Sequence, residues 1–128
     1  MQERNLFEYA IIRVMPKVER EEFLNIGVIL YCAKQRFLGT KYVIDEHRLK
    51  ILCADLEMDI LAQNLESLSR ICKGGNDAAP IGLLDQPSRF RWLTAARSTI
   101  IQTSKVHPGL CTDAQATLEQ LFDEMVSL

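Results

Sequence analysis

The sequence contains none of the short motifs that mark the common catalytic and nucleotide-binding sites. It has no GxGxxG, GxxxxGKS/T, GxSxG or HExxH pattern, and no two of its cysteines form a CxxC pair. No lysine–hydroxyl pair follows Gly74-Gly75, so this pair is interpreted as the end of a helix rather than a phosphate-binding loop. We therefore expect no cofactor, and the sequence leaves open whether the chain is an enzyme.

The chain also has no segment typical of export or of a membrane helix. Its first residues, 1–5, include Glu3 and lack the basic region of a signal peptide. The longest uncharged apolar stretch, residues 26–33, is far shorter than the roughly 20 residues that span a bilayer. We expect a cytoplasmic protein without a membrane partner.

The cysteines are spread along the chain and lie among apolar neighbours. There are four of them: Cys32, Cys53, Cys72 and Cys111. Disulfides form in oxidising compartments, for which the sequence has no export signal. A zinc site that joins cysteines to His47 or His107 has no support from the spacing. We therefore expect no metal and interpret the cysteines as small buried hydrophobic residues.

Length and composition are those of an ordinary globular protein. The chain has 128 residues, of which 48% are hydrophobic and 25% are charged, so we expect a single domain over residues 1–128. Its net charge of −2 provides no general attraction to nucleic acid or to anionic membranes. Nucleic acid is therefore a disfavoured partner, although a local basic patch would still permit it.

The periodicity of apolar residues predicts an α+β fold. Strands are predicted at residues 6–15, 25–32, 36–44 and 99–106. Helices are predicted at residues 45–54 and 57–73, from Pro87 to Ala96, and after a capping box at Thr112 and Gln115. Gly27 indicates a bulge or a close backbone approach in the second strand, and Pro108-Gly109 indicates a turn. The sum is an antiparallel sheet of about four strands with helices packed on one face.

The most uneven charge distribution lies in residues 86–112. This segment has four Arg or Lys residues and no Asp or Glu, so the remainder of the chain has a net charge of −6. It also carries several hydroxyl side chains, and guanidinium groups with hydroxyls form anion sites when they converge. The alternative is that these basic residues are dispersed over a solvated face.

Two further features have both a chemical and a structural interpretation. His107 is a candidate general base, but no acid stands near it in sequence, so a structural or exposed histidine is favoured. The acidic cluster Glu19, Glu21 and Glu22 could bind a metal, but it lacks the spacing of a calcium loop. A solvated loop is favoured there, followed by a salt bridge from Glu19 or Glu22 to Arg13.

Two stretches resemble the bacterial family catalogued as domain of unknown function 3037. They are residues 9–32, YAIIRVMPKVEREEFLNIGVILYC, and residues 92–110, WLTAARSTIIQTSKVHPGL. Members resemble one another in an arginine on the first strand, an E-R-x-E-F-x-N-x-G turn and an R-S-x-x-x-Q-x-S-x-x-H stretch. The resemblance implies no assigned activity, and it implies a kinase-like protein as a partner. Ala96 and Thr103 depart from the family pattern, since proline is common at both positions.

The resemblance and the charge argument indicate the same segment, and they leave two functions open. The first is a non-enzymatic interaction or accessory module that serves a kinase-like partner. The second is an enzyme or sensor that binds a phosphorylated ligand or nucleic acid. Its hypothetical ligand-binding residues are Arg13, Glu22, Arg97, Ser98, Gln102, Ser104 and His107. An apolar surface patch would favour the first function, whereas a cleft with Glu22 beside His107 would favour the second.

Overall fold

The computed structural model describes residues 3–96 and 99–127. Its strands are β1 (Asn5–Val14), β2 (Leu24–Cys32), β3 (Phe37–Tyr42), β4 (Ile101–Thr103) and β5 (His107–Cys111). Its α-helices are α1 (Glu46–Leu52), α2 (Met58–Lys73), α3 (Gln86–Leu93) and α4 (Ala114–Met125). Short 3-10 turns lie at Val18–Arg20, Asn76–Ala78 and Ile81–Leu83. No helix within these described ranges has both the length and the apolar character that a membrane span needs.

The five strands form one antiparallel sheet in which β1 is paired along both of its edges. On one side, β1 pairs with β2, and β2 pairs in turn with β3. On the other side, β4 pairs with the C-terminal half of β1, where Gln102 stands opposite Arg13. The N-terminal half of β1 pairs with β5, where His107 stands opposite Tyr9.

Both faces of this sheet are buried under helices. Ile12 and Val14 of β1 belong to a hydrophobic cluster with residues of α2 and α3. Phe7 and Ile11, which alternate with them along the strand, belong to a second cluster with residues of α4. Since successive side chains of a strand point to opposite faces, α4 covers one face and the other three helices cover the opposite face.

The predicted α+β class and the antiparallel sheet are confirmed, and three details of the prediction are corrected. Helices lie on both faces rather than one, because β2 is apolar on both faces and needs two covers. The predicted strand at residues 99–106 is shorter, and Pro108-Gly109 lies inside a fifth strand instead of a turn. Proline is tolerated there because β5 pairs only with β1 among the described strands, so its outer edge has no ladder hydrogen bond to lose.

Gly27 is the site of both irregularities that the sequence predicts. The pairing of β1 with β2 shifts between Ile12 and Arg13, so that Gly27 faces Ile12 while Asn25 faces Arg13. A Cβ atom at Gly27 would lie 2.7 Å from the carbonyl oxygen of Lys41 on β3. The glycine therefore allows the bulge and the close approach of β3 at one position.

The helix ends show which capping predictions hold. Gly74 ends α2 as predicted, with a positive φ of 77°. The predicted capping box at Thr112 is wrong by one residue, since the Asp113 side chain accepts the hydrogen bond from the Ala116 N–H. The N-cap residue of α2 is Glu57, which makes no side-chain cap bond.

A buried arginine completes the C-terminal end of α2. Arg89 of α3 donates from Nη1 to the carbonyl oxygens of Ile71 and Cys72, both at 2.8 Å. Its Nε donates to the carbonyl oxygen of Leu84 at 3.0 Å. Because the last carbonyls of a helix have no partner within the helix, Arg89 satisfies groups that would otherwise be buried and unpaired. This arginine of the basic segment is therefore structural.

Replacing Arg89 by Met should lower the free energy of unfolding by about 3 kcal/mol, because two buried carbonyls lose a charged donor. Arg91 on the same helix is exposed, so Arg91→Met is the matched control and should change stability by less than about 0.5 kcal/mol. Urea unfolding followed by circular dichroism measures both. Equal stabilities of the two variants would show that Arg89 does not hold the end of α2.

Candidate functional site

Arg13 is the only sequence-predicted site residue whose charged group has no polar partner within residues 3–96 and 99–127. Its guanidinium carbon lies 4.1 Å from the centre of the Phe23 ring, in a cation–π contact. Its Nε atom is buried and makes no hydrogen bond. The guanidinium is therefore held in place by a ring and not by an acidic side chain.

Two neutral amides flank Arg13 on the neighbouring strands. Asn25 of β2 and Gln102 of β4 both stand directly opposite Arg13, so the three side chains lie on one face of the sheet. The Asn25 Nδ2 donates to the carbonyl oxygen of Met125 at 3.3 Å, while its Oδ1 is buried without a partner. Gln102 Nε2 donates to the Thr99 carbonyl oxygen at 3.0 Å.

The face that carries Arg13 is only partly covered by a helix. Among the described elements, α4 packs mainly against β2 and β3. The half of this face that β1, β4 and β5 form is less covered: Tyr9, Arg13 and Gln102 are partly exposed, and His107 is exposed. We call this region the open half of the sheet.

Ser104 has a structural role at the break between β4 and β5. Its hydroxyl oxygen accepts a hydrogen bond from the Ile11 N–H at 2.8 Å, and its hydroxyl donates to the Lys105 carbonyl oxygen at 2.9 Å. The Ser104 N–H also donates to the Ile11 carbonyl oxygen at 2.8 Å. Ser104 therefore bonds the N–H and carbonyl groups of Ile11, at the position on the edge of β1 that neither β4 nor β5 reaches. Its hydroxyl group is already hydrogen-bonded and is not free for a ligand.

Removing the Ser104 hydroxyl should leave the Ile11 N–H buried without a partner. We expect Ser104→Ala to lower the free energy of unfolding by about 2 kcal/mol. The exposed Ser67 on α2 supplies the control, since Ser67→Ala removes no hydrogen bond that the structure records. Faster hydrogen exchange at the Ile11 amide in the Ser104 variant would locate the effect, and unchanged exchange there would contradict this role.

His107 stands opposite the middle of β1, whereas Glu22 lies beyond the C-terminal end of this strand. His107 is exposed, and its ring centre lies 5.3 Å from that of Tyr9. Glu22 pairs with Arg20 and lies just beyond Leu24, which stands opposite Val14. From Tyr9 to Val14 the strand extends about 17 Å, so Glu22 cannot orient His107. No ion pair joins Glu19 or Glu22 to Arg13 in the described part of the chain.

The remaining predicted residues do not form one cluster with these. Arg97 and Ser98 lie outside the described residues. Arg13 and Gln102 stand side by side, but His107 lies four residue positions away along β1, about 13 Å. Arg91 and Lys105 of the basic segment are exposed, and Arg89 is occupied at the end of α2. The structure thus brings together Arg13, Gln102 and Asn25, and it separates them from His107 and Glu22.

A second feature, which the sequence analysis missed, is a groove along α2. It consists of two adjoining clefts of about 250 and 280 Å³ that share Asn64 and Ile101. Three of its large apolar side chains are well exposed: Ile60 by 50%, Ile100 by 44% and Trp92 by 40%. The sequence signal was Ile60, which lies outside the buried stripe of α2 yet is apolar.

Carboxylates lie at one end of the α2 groove. Asp55 and Glu57 line the first cleft, and Asp59 lies next to it. None of the three forms an ion pair within the described ranges. The nearby Lys50 donates to the carbonyl oxygens of Ala54 and Leu56. On the far side of Asp55 lies a polar cleft whose charged side chains are Lys17, Arg20 and Glu22.

The shifted pKa values among the described groups all have structural causes. Burial raises the pKa of the Cys72 thiol to about 12, although Arg89 nearby acts in the opposite direction. Burial also raises the pKa of Cys111. A hydrogen bond from Ser88 lowers the pKa of Asp85, and one from Lys41 lowers that of Glu119. Within the described ranges, no three His, Cys, Asp or Glu side chains lie close enough to hold a metal ion.

The cysteines should differ in their reaction with iodoacetamide. With a pKa of about 12, only about one Cys72 thiol in 10⁴ is ionised at pH 8, and the thiolate is the reacting form. Cys53 is partly exposed and lines the groove, so it should be alkylated first and Cys72 last. Mass spectrometry of timed digests gives the order, and early modification of Cys72 would contradict its burial.

Comparison with known proteins identifies the family and nothing closer. No curated protein and no solved structure matches the chain. The model of the family described as protein of unknown function (DUF3037) matches residues 9–126. Since this match spans nearly the whole chain, the protein belongs to that family.

Proposed function

We propose that the chain is a non-enzymatic interaction module of the bacterial cytosol that binds a partner protein through the α2 groove. The observation that carries the proposal is the exposure of Ile60, Ile100 and Trp92 along two adjoining clefts. The partner that the family resemblance implies is a kinase-like protein. The occupant of the groove is then a segment of that protein with apolar side chains and a neighbouring basic residue.

The exposed apolar walls of the groove, rather than its volume, favour the side chains of a protein over a cofactor or a small substrate. Its two adjoining clefts of about 250 and 280 Å³ together fall within the range of small-molecule sites. A shallow groove of this size accommodates a few aliphatic side chains from a partner surface. Covering the exposed halves of Ile60 and Ile100 would contribute about 1 kcal/mol each.

Charge favours a basic residue beside the apolar contact. Asp55, Glu57 and Asp59 leave one end of the groove acidic, and Lys50 is occupied by backbone carbonyls. Lys17 and Arg20 lie beyond Asp55, where Arg20 is paired with Glu22. A partner with Lys or Arg next to its apolar segment would therefore associate faster at low salt than at high salt.

The alternative, an enzyme or sensor for a phosphorylated ligand or nucleic acid, has less support from the geometry. That function needs an acid near His107, which stands opposite Tyr9, but Glu22 lies beyond the C-terminal end of β1. It also needs available hydroxyls, and that of Ser104 is bonded to Ile11 and Lys105. The proposed protein interface does not depend on either group, because the α2 groove requires only exposed apolar side chains.

A single substitution in the groove tests the proposal. Ile60→Glu places a charge among the apolar contacts, while a glutamate in the first turn of α2 is compatible with the helix. The matched control is Ile51→Glu, because Ile51 is 74% exposed on α1 and lines neither cleft of the groove. Each variant is co-expressed with a kinase-like protein, the partner that the family resemblance implies, and analysed by size-exclusion chromatography.

We expect the complex to form with the Ile51 variant and to be lost, or weakened roughly tenfold or more, with the Ile60 variant. Both variants should unfold at nearly the same urea concentration as the unmodified chain. A complex that is equally stable with Ile60→Glu would exclude the groove as the interface. A complex that is absent with the unmodified chain would exclude the kinase-like partner.

A further inference from the structure

We propose that Arg13, on the open half of the sheet, binds a carboxylate group. This site lies on the face of the sheet opposite to the α2 groove, so it is independent of the proposed partner interface. Arg13 and Gln102 form its centre, with Asn25 and Phe23 as supports. The ligand is a carboxylic acid, either free in solution or on an acidic side chain of a protein.

The geometry of Arg13 favours a planar ligand. The Phe23 ring lies 4.1 Å from the guanidinium carbon, in a cation–π contact. A guanidinium has an edge with two parallel N–H groups, and such an edge matches the two oxygens of a carboxylate. The contact with the ring also limits the rotation of the side chain, so less conformational entropy is lost when a ligand binds.

The charge at the site favours a group with one negative charge. The neighbours of Arg13 across both strands, Asn25 and Gln102, are neutral amides. On α4, which ends beside Asn25, the Glu124 carboxylate accepts a hydrogen bond from Gln120 and forms no ion pair with Arg13. On the β5 side, His107 lies about 13 Å away along the strand. Among the described residues no second cation stands directly opposite Arg13 on β2 or β4, and a single guanidinium matches a carboxylate better than a doubly charged phosphate.

The unpaired guanidinium donor of Arg13 points to a missing acceptor. The Arg13 Nε and the Asn25 Oδ1 are the two buried side-chain polar atoms in the described ranges that have no hydrogen-bond partner. They belong to residues that stand opposite each other on adjacent strands. Buried polar groups are rarely left unpaired, and in native proteins they concentrate at functional positions. A carboxylate on the Arg13 fork, with the Gln102 amide beside it, would supply the acceptor that the guanidinium lacks. The Asn25 Oδ1, which is itself an acceptor, gains no hydrogen bond from a carboxylate.

The test is a titration of the complete ¹⁵N-labelled chain followed by NMR. Signals of the Arg13 Nε–H and the Gln102 side-chain amide are recorded during additions of sodium acetate at constant ionic strength. A second arm uses the peptide acetyl-Ala-Glu-Ala-amide, and a third uses inorganic phosphate. We expect saturable shifts of both signals with acetate and the peptide, and weaker binding of phosphate. Tighter binding of the peptide than of acetate would assign the carboxylate to a protein side chain, and equal binding to a free acid.

Three substitutions and one control make the outcome decisive. Arg13→Gln should weaken acetate binding roughly tenfold, and Arg13→Lys, which keeps the charge but loses the fork, should weaken it several-fold. Gln102→Glu keeps the shape of Gln102 and places a carboxylate opposite Arg13, so it should abolish acetate binding. This variant keeps the test decisive if Arg13→Gln disturbs the fold. Arg20→Gln, at an exposed arginine of the β1–β2 connection, should bind acetate normally.

Two results would overturn the proposal. Shifts that do not saturate, or that persist unchanged in Gln102→Glu, would show that acetate does not bind at Arg13. Tighter binding of phosphate than of acetate would show that the site takes a different class of anion. Neither result would affect the α2 groove, because the two sites lie on opposite faces of the sheet.

Discussion

The structure depends on a sheet whose central strands, β1 and β2, are apolar on both faces. Ile12 and Ile29 pack in one hydrophobic cluster with residues of α2 and α3. Ile11 and Leu30, on the same two strands, pack in the cluster on the other face with residues of α4. Because each apolar face has to be removed from water, helices must pack on both sides. This constraint places the α2 groove on one face and Arg13 on the other.

The coverage of the two faces is unequal, and this inequality creates the open half of the sheet. On the α4 side a single helix packs mainly over β2 and β3. On its other edge β1 is paired with two short strands, and Ser104 satisfies the backbone between them. The sheet is therefore continuous where it lacks a helix, so polar side chains such as Arg13 can lie on a rigid surface.

Local sequence patterns correctly predicted the features that depend on neighbouring residues, namely strands, a bulge and a helix end. Alternation and glycine placement gave the first three strands, the bulge at Gly27 and the end of α2 at Gly74. They did not give the role of Arg89 or Ser104, because each side chain bonds to backbone far away in sequence. Residue spacing also could not show that Glu22 and His107 are separated, since strand register decides that distance. The groove was missed because its walls come from distant segments.

Hydrogen–deuterium exchange of the chain with and without the proposed kinase-like partner tests the central claim most directly. The account predicts that the partner slows exchange in residues 55–64 and 99–101, which form the acidic end and the apolar wall of the groove. Exchange in β3, which forms the opposite edge of the sheet, should be unchanged. Protection confined to β3, or no protection in residues 55–64, would contradict the account.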